Sequence, residues 1–327
     1  MKTLLLTQKD IKKIFKMRNA ISVVERTFRS FASGKTQMPE KSYVYLPKFR
    51  GDFRSMPAFV EDQHAVGVKW VNVHLNNFKK SLPTVMAMIV LGDVKTGYPI
   101  AVMDGTYLTN LRTGAAGAVA AKHLARKNSH TIALIGSGNQ ARTQLEGLNL
   151  LFKIRHVKVW STDSSADEKL IKETAYRFPF TVEKSKSAEM CVKNADIVVT
   201  TTPSREPIIK LKWIAPGTHI NAIGADAKGK EELEPAILTH SKLVVDDWVQ
   251  ASHGGEINVP VSKGIITKRD IYAELGSIIA GKRKGRANNS EITVFDSTGL
   301  SIHDIACAHA VYKQAVKRRI GDFKTFF

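Results

Sequence analysis

The sequence predicts an α/β protein in which a doubly wound parallel sheet is joined to a smaller α+β domain. A chain of 327 residues is long enough for about two domains. Over residues 115–300, short β-branched apolar runs alternate with helical stretches, which is typical of a parallel sheet with crossover helices. Before residue 115 the strand-like runs follow one another directly, which favours an antiparallel or mixed sheet.

The α/β domain is predicted at residues 115–300. A helix is expected at residues 140–150, directly after the first strand of this domain. The buried strands are expected at residues 131–135, 157–160, 197–201, 219–223, 243–245 and 292–295.

The smaller domain is predicted at residues 1–114 and 301–327, and it is discontinuous because the last helix returns to it. Thr7 is the expected N-cap of the first helix. Its strands are expected at residues 41–46, 65–73, 84–91 and 98–103, and its helices within residues 4–31, 112–125 and 301–318.

The composition excludes several classes of protein. Hydrophobic residues make up 43% and charged residues 24%, as in globular rather than disordered chains. No apolar run approaches the roughly 20 residues of a membrane span, and the start lacks the apolar core of a secretory signal, so we expect a cytoplasmic protein. Cys191 and Cys307 are too few and too distant for a disulfide framework or a zinc site, and we expect no metal.

The chain is strongly basic. Lys and Arg number 49 against 30 Asp and Glu, a formal net charge of +19, which raises a nucleic-acid partner as an alternative. The densest clusters are Lys282, Arg283, Lys284 with Arg286, and residues 317–319. Since no zinc-finger spacing or RNA-reading aromatic motif accompanies them, we expect a basic solvated surface and no nucleic acid. An active site that attracts anions is an alternative source of part of the charge.

A glycine turn is the sharpest motif. The segment GSGNQA at residues 136–141 follows a predicted strand and opens a predicted helix, which is the context of a dinucleotide-binding Rossmann fold. Gly136 allows a tight turn, Gly138 allows a pyrophosphate to approach, and Ala141 allows close packing of helix and strand. The alternative is an ordinary glycine turn. The expected cofactor contacts here are Gly136, Ser137, Gly138, Asn139 and Gln140.

The end of the second strand does not decide between NAD(H) and NADP(H). An NAD site usually has an acid at this strand end for the ribose 2′-hydroxyl, but here the position is Ser161. Asp163 lies two residues further on, whereas Ser161 and Thr162 are suited to donate to a 2′-phosphate. Both cofactors therefore stay open.

Asp226 is the candidate general acid/base. It follows the strand HINAIG, at the carboxyl end where open α/β sheets bind ligands. The alternative is an aspartate that caps a helix.

Basic residues in the smaller domain are the complementary feature. Lys69 lies in an otherwise apolar strand, where a lysine is unfavourable unless it is paired. Arg112 opens the predicted alanine-rich helix, although a helix N-terminus favours anions. An anionic ligand accounts for both positions, and Arg54 and Lys41 add two more cations, each of which is equally explained as surface charge.

The chain resembles the ornithine cyclodeaminase and mu-crystallin family almost from end to end. The matching blocks are SMPAFV, GVKWVN, the stretch from LPTVMAM to KHLA, IGSGNQAR, NADIVVTTTPS, GTHINAIGADAKGKEEL, GGEI and FDSTGLSIHD. The resemblance implies a homodimer that forms through the smaller domain, a nicotinamide cofactor in the Rossmann domain, and an amino-, keto- or imino-acid substrate between the domains. On this resemblance we assign further cofactor contacts to Thr84, Thr113, Thr202, Ala225, Lys230 and Ser297.

Two departures bear on the reaction. Ornithine cyclodeaminases resemble this chain in Lys69, Arg112 and Asp226, but they carry a glutamate just before the Met-Pro pair, where this chain has Arg54 and Ser55. Their loop after the aspartate reads Cys-Pro-Gly-Lys, whereas residues 227–230 read Ala-Lys-Gly-Lys. Lys41 and Arg54 instead are similar to the basic pair of archaeal-type alanine dehydrogenases in this family.

The resemblance therefore implies an oxidoreductase that reversibly aminates a short 2-keto acid, pyruvate first, with ammonia. Arg112, Lys69 and Arg54 are expected to bind the substrate carboxylate. Asp226 is expected to shuttle protons, and Lys41 to polarise the keto oxygen or to help bind the carboxylate. Ornithine cyclodeamination, ketimine reduction and a non-catalytic, mu-crystallin-like binding role stay open as alternatives.

Overall fold

The computed structural model describes residues 1–326; residue 327, the last of the predicted smaller domain, lies outside the described residues. The chain divides into two compact units. Unit 1 comprises Met1–Arg112 and the C-terminal segment from Leu300 onward, and unit 2 comprises Thr113–Gly299.

Unit 1 contains a mixed sheet. Its strands are β1 (Thr3–Leu6), β2 (Thr36–Gln37), β3 (Ser42–Leu46), β4 (Gly51–Val60), β5 (Ala65–His74), β6 (Val85–Gly92), β7 (Pro99–Asp104) and β16 (Asp322–Lys324). Its helices are α1 (Gln8–Ile14), α2 (Met17–Ala32), α11 (Ser301–Arg318) and the first residues of α3 (Thr106–Leu124), with 3-10 turns at Pro47–Phe49, Glu61–Gln63 and Asn77–Lys80.

The strand order in this sheet is β16-β1-β7-β6-β5-β4-β2, and β3 pairs with β4. β1 and β7 are parallel, and the other pairs are antiparallel, so the expectation of an antiparallel or mixed sheet is confirmed as mixed. Helix α11 packs on α2 and on the face of β4, β5 and β6. This face is the interior of unit 1.

Several local predictions for unit 1 need correction. Thr7 is confirmed as the N-cap of α1, with a capping box to Asp10. Residues 3–6, however, form strand β1 and not part of a helix-rich start, and the ten-residue strand β4 was missed. Helix α3 begins at Thr106, six residues before the predicted start at Arg112. Arg112 is therefore inside the helix and does not open it.

Unit 2 is the doubly wound α/β part. Its strands are β8 (Thr131–Ile135), β9 (His156–Trp160), β10 (Thr181–Lys184), β11 (Ile197–Thr200), β12 (His219–Ala222), β13 (Lys242–Val245), β14 (Ala273–Glu274) and β15 (Thr293–Asp296). Its helices are the remainder of α3, α4 (Asn139–Asn149), α5 (Ser164–Ala175), α6 (Ala188–Val192), α7 (Pro235–Thr239), α8 (Trp248–Gly254), α9 (Asn258–Ser262) and α10 (Leu275–Ile279), with 3-10 turns at Leu211–Trp213 and Lys268–Asp270.

The strand order of unit 2 is β10-β9-β8-β11-β12-β15-β13-β14, and every pair is parallel. Both faces of the sheet are apolar: Ala133 and Ile135 of β8 lie in one buried cluster, and Ile132 and Leu134 lie in the other. The chain runs from β8 through β9 to β10 on one side and continues at β11 on the other. The switch point, where such sheets bind ligands, is therefore between β8 and β11.

The basic cluster near residue 284 is only partly a solvated surface. Arg286 donates to the carbonyl oxygens of Leu124 (2.7 Å) and Glu291 (2.6 Å) and so binds backbone within unit 2. Within residues 1–326, no helix is both long and apolar enough to cross a bilayer. Among the same residues, no group of three or more His, Cys, Asp or Glu side chains is placed to hold a metal ion.

Candidate active site

Three charged side chains meet in the interior of unit 1. Lys69 Nζ lies 2.6 Å from Asp304 Oδ2, and Arg112 Nε lies 2.9 Å from Asp304 Oδ1. The Asp304 side chain is fully buried, Lys69 is 1% exposed and Arg112 is 7% exposed. Two cations share one carboxylate, so the cluster keeps one net positive charge while Lys69 is protonated.

An anionic ligand was expected beside Lys69 and Arg112, but the carboxylate that pairs with both cations is that of Asp304 in the same chain. Lys69 is on the interior face of β5, because side chains alternate along a strand and Trp70 points to the other face. Arg112 comes from α3, and Asp304 comes from the first turn of α11, where a carboxylate is favoured by the helix dipole. Asp304 carries one negative charge against the two cations.

The cluster shifts the pKa values of its members. Burial, with smaller contributions from the charges of Arg112 and Lys41, lowers the pKa of Lys69 to about 7, and Asp304 opposes this shift. Burial acts to raise the pKa of Asp304, but Arg112 and Lys69 outweigh this effect, and the pKa is below its ordinary value. Lys69 is therefore a group that can exchange a proton near neutral pH, and Asp304 is a permanent anion.

Arg54 and Lys41 lie in the same unit. Arg54 is on the interior face of β4, and its neighbour on that face, Met56, is directly opposite Lys69 in the sheet. Arg54 binds both carboxylate oxygens of Asp52, at 2.8 and 3.3 Å, and lies over the ring of Tyr43. Lys41 precedes β3, and its charge contributes to the lowered pKa of Lys69. Asp52 neutralises much of the Arg54 charge, which the sequence analysis did not anticipate.

His303 is a buried group at this cluster that the sequence analysis missed. Its ring contacts Phe28 edge to face at 4.3 Å, and its Nε2 has no hydrogen-bond partner among the described residues. Burial, together with the charge of Arg112, lowers the pKa of His303 to about 3, and Asp304 opposes this shift. The imidazole is therefore neutral at physiological pH. The sequence signal that could have identified His303 is its position directly before Asp304.

The glycine turn of unit 2 lies at the carboxyl end of β8, beside the switch point. Gly136 has φ +102°, a conformation that L side chains rarely adopt, and a Cβ there would lie 2.7 Å from Thr201 Oγ1. Gly138 precedes helix α4, which has no side-chain cap, and a Cβ at Gly138 would meet no atom within 4 Å among the described residues. The turn therefore offers open space and backbone N–H groups, and both suit a pyrophosphate.

Ser137, Asn139 and Gln140 continue this turn into the first residues of α4. Arg142, one turn into α4, was missed in the sequence analysis. It donates to the carbonyl oxygens of Ser137 and Gly138, and its Nε lies 2.6 Å from Glu173. Arg142 thus stabilises the glycine turn from its position in α4.

The end of β9 has an acid that the sequence analysis did not identify. Ser161 donates from its hydroxyl to Asp167 (2.6 Å) and from its backbone N–H to the same carboxylate (3.1 Å). Asp163 instead caps helix α5 by accepting from the N–H groups of Ser165 and Ala166. The buried, negatively charged carboxylate of Asp167 therefore contacts Ser161, and this charge disfavours a 2′-phosphate at the same position. Thr162 is exposed.

Asp226 lies in a loop after β12 and forms an ion pair with Lys230, with 2.5 Å between Nζ and Oδ1. The next helix, α7, begins nine residues later and has Glu234 at its N-cap position. The alternative of a helix-capping aspartate is therefore wrong. The Asp226 side chain is 36% exposed, so solvent reaches it.

The other predicted cofactor contacts lie in different places. Thr202 and Ala225 follow β11 and β12, and Ser297 follows β15, so these three are at the carboxyl edge of the unit 2 sheet. Thr113 is in α3, and its carbonyl accepts from the Gln144 side chain. Thr84 belongs to unit 1, where its carbonyl accepts from the N–H of His74.

The parallel sheet with a glycine turn at its switch point defines a Rossmann-type α/β protein. The profile of the ornithine cyclodeaminase/mu-crystallin family matches residues 1–319, and the chain belongs to this family.

Individual relatives are similar over the whole chain. The alanine dehydrogenase of Archaeoglobus fulgidus is 49% identical over 100% of this chain and 99% of its own length. The structure of an archaeal alanine dehydrogenase dimer with bound NAD has a TM-score of 0.96 at 48% identity and covers 100% of both chains. The Δ1-pyrroline-2-carboxylate reductase of Thermococcus litoralis, in complex with NADH and L-proline, has a TM-score of 0.95 at 38% identity and covers 98% of this chain and 99% of its own.

Proposed function

We propose that this protein is an NAD(H)-dependent amino-acid dehydrogenase that reversibly aminates a short 2-keto acid, with pyruvate, ammonia and alanine as the first set to test. The observation that carries the proposal is the full-length similarity to alanine dehydrogenase, at 49% identity. The buried cluster around Asp304 supports it, because one net positive charge suits a substrate with one carboxylate.

Unit 1 supplies the proposed substrate groups. Arg112 and Lys69 bind the carboxylate of the keto acid, since a carboxylate accepts charge-assisted hydrogen bonds from both. Asp304 keeps the two cations in fixed orientations before the substrate arrives, which limits their loss of freedom on binding. Arg54, which binds Asp52, and Lys41 are the other two cations of the proposed substrate site.

Unit 2 supplies the proposed cofactor groups. The turn at residues 136–141 binds the pyrophosphate, and Ser161 binds the adenosine ribose. The negative charge of Asp167 behind Ser161 supports NAD(H) over NADP(H), because a 2′-phosphate would be repelled. When bound, the nicotinamide supplies or accepts the hydride at the substrate α-carbon.

Asp226 moves the protons of the reaction. Formation of the imine from the keto acid and ammonia releases water, and the carbinolamine intermediate must gain and lose protons at oxygen and nitrogen. Asp226 is partly exposed, so that solvent reaches its carboxylate, and it pairs with Lys230. Lys41 polarises the keto oxygen.

The test is a substrate panel with the purified protein. Pyruvate and longer 2-keto acids are mixed with ammonium and either NADH or NADPH, and cofactor oxidation is followed at 340 nm. The proposal expects ammonium-dependent oxidation of NADH, fastest with pyruvate, and alanine formed in equal amount. Ammonium-independent oxidation, or no turnover with any keto acid, would contradict it.

A second candidate is reduction of a cyclic imino acid. The similarity to the Thermococcus litoralis reductase, whose structure contains L-proline, favours it. Δ1-pyrroline-2-carboxylate with NADH and no ammonium tests it directly. A higher kcat/KM than with pyruvate and ammonium would make imine reduction the principal reaction.

We also propose that the protein is a homodimer formed through the open face of the unit 1 sheet. The neighbouring residues Trp70 and Met88 are 49% and 55% exposed there, next to Val90 at 36%. The similar archaeal enzyme is a dimer. We expect Met88→Asp to yield a monomer in sedimentation velocity, whereas Met190→Asp, at a methionine of unit 2 that is 53% exposed, stays dimeric. A dimeric Met88→Asp variant would contradict this interface.

A reaction that consumes NADH and a keto acid supports a cytoplasmic location, which cell fractionation would test.

A further inference from the structure

A buried carboxylate in unit 2 joins two loops at the carboxyl edge of the sheet. Glu232 is 0% exposed and accepts four hydrogen bonds. Its Oε1 accepts from the N–H (2.6 Å) and hydroxyl (2.8 Å) of Thr202, and its Oε2 accepts from the Thr200 hydroxyl (2.7 Å) and the Gly224 N–H (2.9 Å). One side chain therefore fixes the segment after β11 to the segment after β12.

The second of these segments carries Asp226. Gly224 lies two residues before it, and a Cβ at Gly224 would be 2.5 Å from Glu232 Oε2 and 2.3 Å from the Thr202 carbonyl oxygen. Only glycine allows the loop, the carboxylate and Thr202 to approach so closely. Lys230, which pairs with Asp226, also reaches the Gly224 carbonyl oxygen at 3.5 Å.

A second carboxylate holds Glu232 in turn. Glu256 Oε1 accepts from the backbone N–H groups of Glu232 (2.8 Å) and Leu233 (2.6 Å), and Asp296 Oδ2 accepts from the N–H of Ile257 (3.1 Å). Burial raises the pKa of Glu256, and the Glu232 charge raises it further. Burial also raises the pKa of Asp296 to about 8. Buried carboxyl groups this close are unfavourable, and a role in function would explain why the chain keeps them.

We propose that Glu232 is a positioning residue, which holds the Thr202 and Asp226 loops in the geometry that the proposed reaction needs. This inference rests on the proposed function, because it takes Asp226 as the proton-transfer group and Thr202 as a cofactor contact. Glu232 acts through these two loops and need not touch the substrate.

The chemistry of the contacts defines a sharp variant. The N–H groups of Thr202 and Gly224 donate to different oxygens, so both oxygens must accept. In Glu232→Gln the amide NH2 faces one of these donors, and one backbone N–H loses its partner. We expect kcat to fall about tenfold or more and the dissociation constant of NADH, measured by its fluorescence, to rise several-fold, since a buried N–H without an acceptor is unfavourable. The KM for the keto acid should not change, because Lys69 and Arg112 belong to unit 1.

Two further variants separate positioning from simple destabilisation. Glu231→Gln makes the same chemical change one residue away, where the buried Oε1 has no partner among the described residues, and it should keep wild-type kinetics. Thr200→Val removes one of the four donors and is expected to give a smaller loss with the same unchanged keto-acid KM. If Glu232→Gln does not fold, the kinetics of Thr200→Val test the proposal in its place.

A double variant tests the route of action. If Glu232 acts through Asp226, adding Glu232→Gln to Asp226→Asn lowers kcat no further. Multiplicative losses, or wild-type kcat and NADH affinity in folded Glu232→Gln, would overturn the proposal. If Asp226→Asn alone retains wild-type kcat, the proposed role of Asp226 is wrong. The NADH affinity of Glu232→Gln then still decides whether Glu232 holds the Thr202 loop, and unchanged affinity would overturn that as well.

Discussion

Lys69 Nζ and Asp304 Oδ2 lie 2.6 Å apart, although 235 positions separate the two residues in the chain. This ion pair gives a buried lysine a counter-charge, and Arg112 shares it at 2.9 Å. Because a single carboxylate binds two cations, this cluster in unit 1 keeps one net positive charge while Lys69 is protonated. The proposed binding of a keto-acid carboxylate depends on this imbalance.

Replacing Asp304 should therefore affect both stability and binding. Asp304→Asn leaves Lys69 and Arg112 buried without a counter-ion, and removal of one partner from a buried pair typically destabilises by about 3–5 kcal/mol. We expect a lower midpoint of thermal unfolding and a higher KM for pyruvate. Asp322→Asn, an exposed residue of the same unit, serves as the control and should unfold at the wild-type temperature. An Asp304→Asn variant as stable as wild type would contradict the assigned role.

The pKa of Lys69, at about 7, predicts a pH dependence of substrate binding. Below this value Lys69 is protonated and attracts a carboxylate, whereas above it the neutral amine does not. The KM for pyruvate should therefore rise as pH increases through about 7. In Lys69→Arg the charge persists to high pH, so the rise should disappear, whatever the absolute activity. A wild-type KM that is constant between pH 6 and 8.5 would show that Lys69 does not titrate there.

The two glycines of the cofactor turn should respond differently to substitution. A valine at Gly138 enters open space, so Gly138→Val should fold normally but lose NADH affinity by about tenfold or more, because its side chain occupies the proposed pyrophosphate site. Gly136→Ala instead forces an alanine to φ +102° against Thr201, and we expect about 1–3 kcal/mol of lost stability. Titration of NADH fluorescence and thermal unfolding measure the two effects. Unchanged NADH binding by Gly138→Val would remove the assignment of residues 136–141.

Asp226→Asn should mainly affect turnover. The amide keeps the size of the side chain but cannot accept a proton, and general acid/base groups contribute about 10²- to 10⁴-fold in rate. We expect a loss of kcat in that range, with NADH binding largely retained. Steady-state kinetics and an NADH titration of the same sample measure both quantities. A kcat near the wild-type value would exclude Asp226 as the proton-transfer group.

Arg54 discriminates between the candidate reactions. Arg54→Glu should lower kcat/KM for the keto acid by about tenfold or more, because a charge-assisted contact is lost and the new carboxylate lies next to that of Asp52. Ornithine should give little or no proline with the wild-type protein, although repulsion of its distal ammonium is reduced by Asp52, which lies 2.8 Å from Arg54. Proline and ammonia formed from ornithine without net cofactor change would identify a cyclodeaminase instead.

The sequence predicted those features whose signal is local. The glycine turn, the six main strands of unit 2 and Thr7 are readable from neighbouring residues, and Lys69 is recognisable because a lysine interrupts an apolar strand. Asp304 was not assigned, since nothing near it in the sequence shows that it pairs with β5. Strand β4 was missed because it contains Pro57, which has no N–H for a sheet and usually argues against an interior strand. Glu232 was missed because an acid in a polar stretch looks solvent-exposed until the fold buries it.

The discontinuity of unit 1 has a consequence for how the chain folds as it leaves the ribosome. All of Thr113–Gly299 is synthesised before α11, so unit 2 can reach its native state while unit 1 still lacks the helix that carries Asp304. Until then, Lys69 and Arg112 have no counter-charge, and the face of β4, β5 and β6 that α11 covers is exposed to solvent. The unit 1 sheet is thus completed after unit 2 has been synthesised, and the ion pair of Lys69 with Asp304 cannot form before α11 is available.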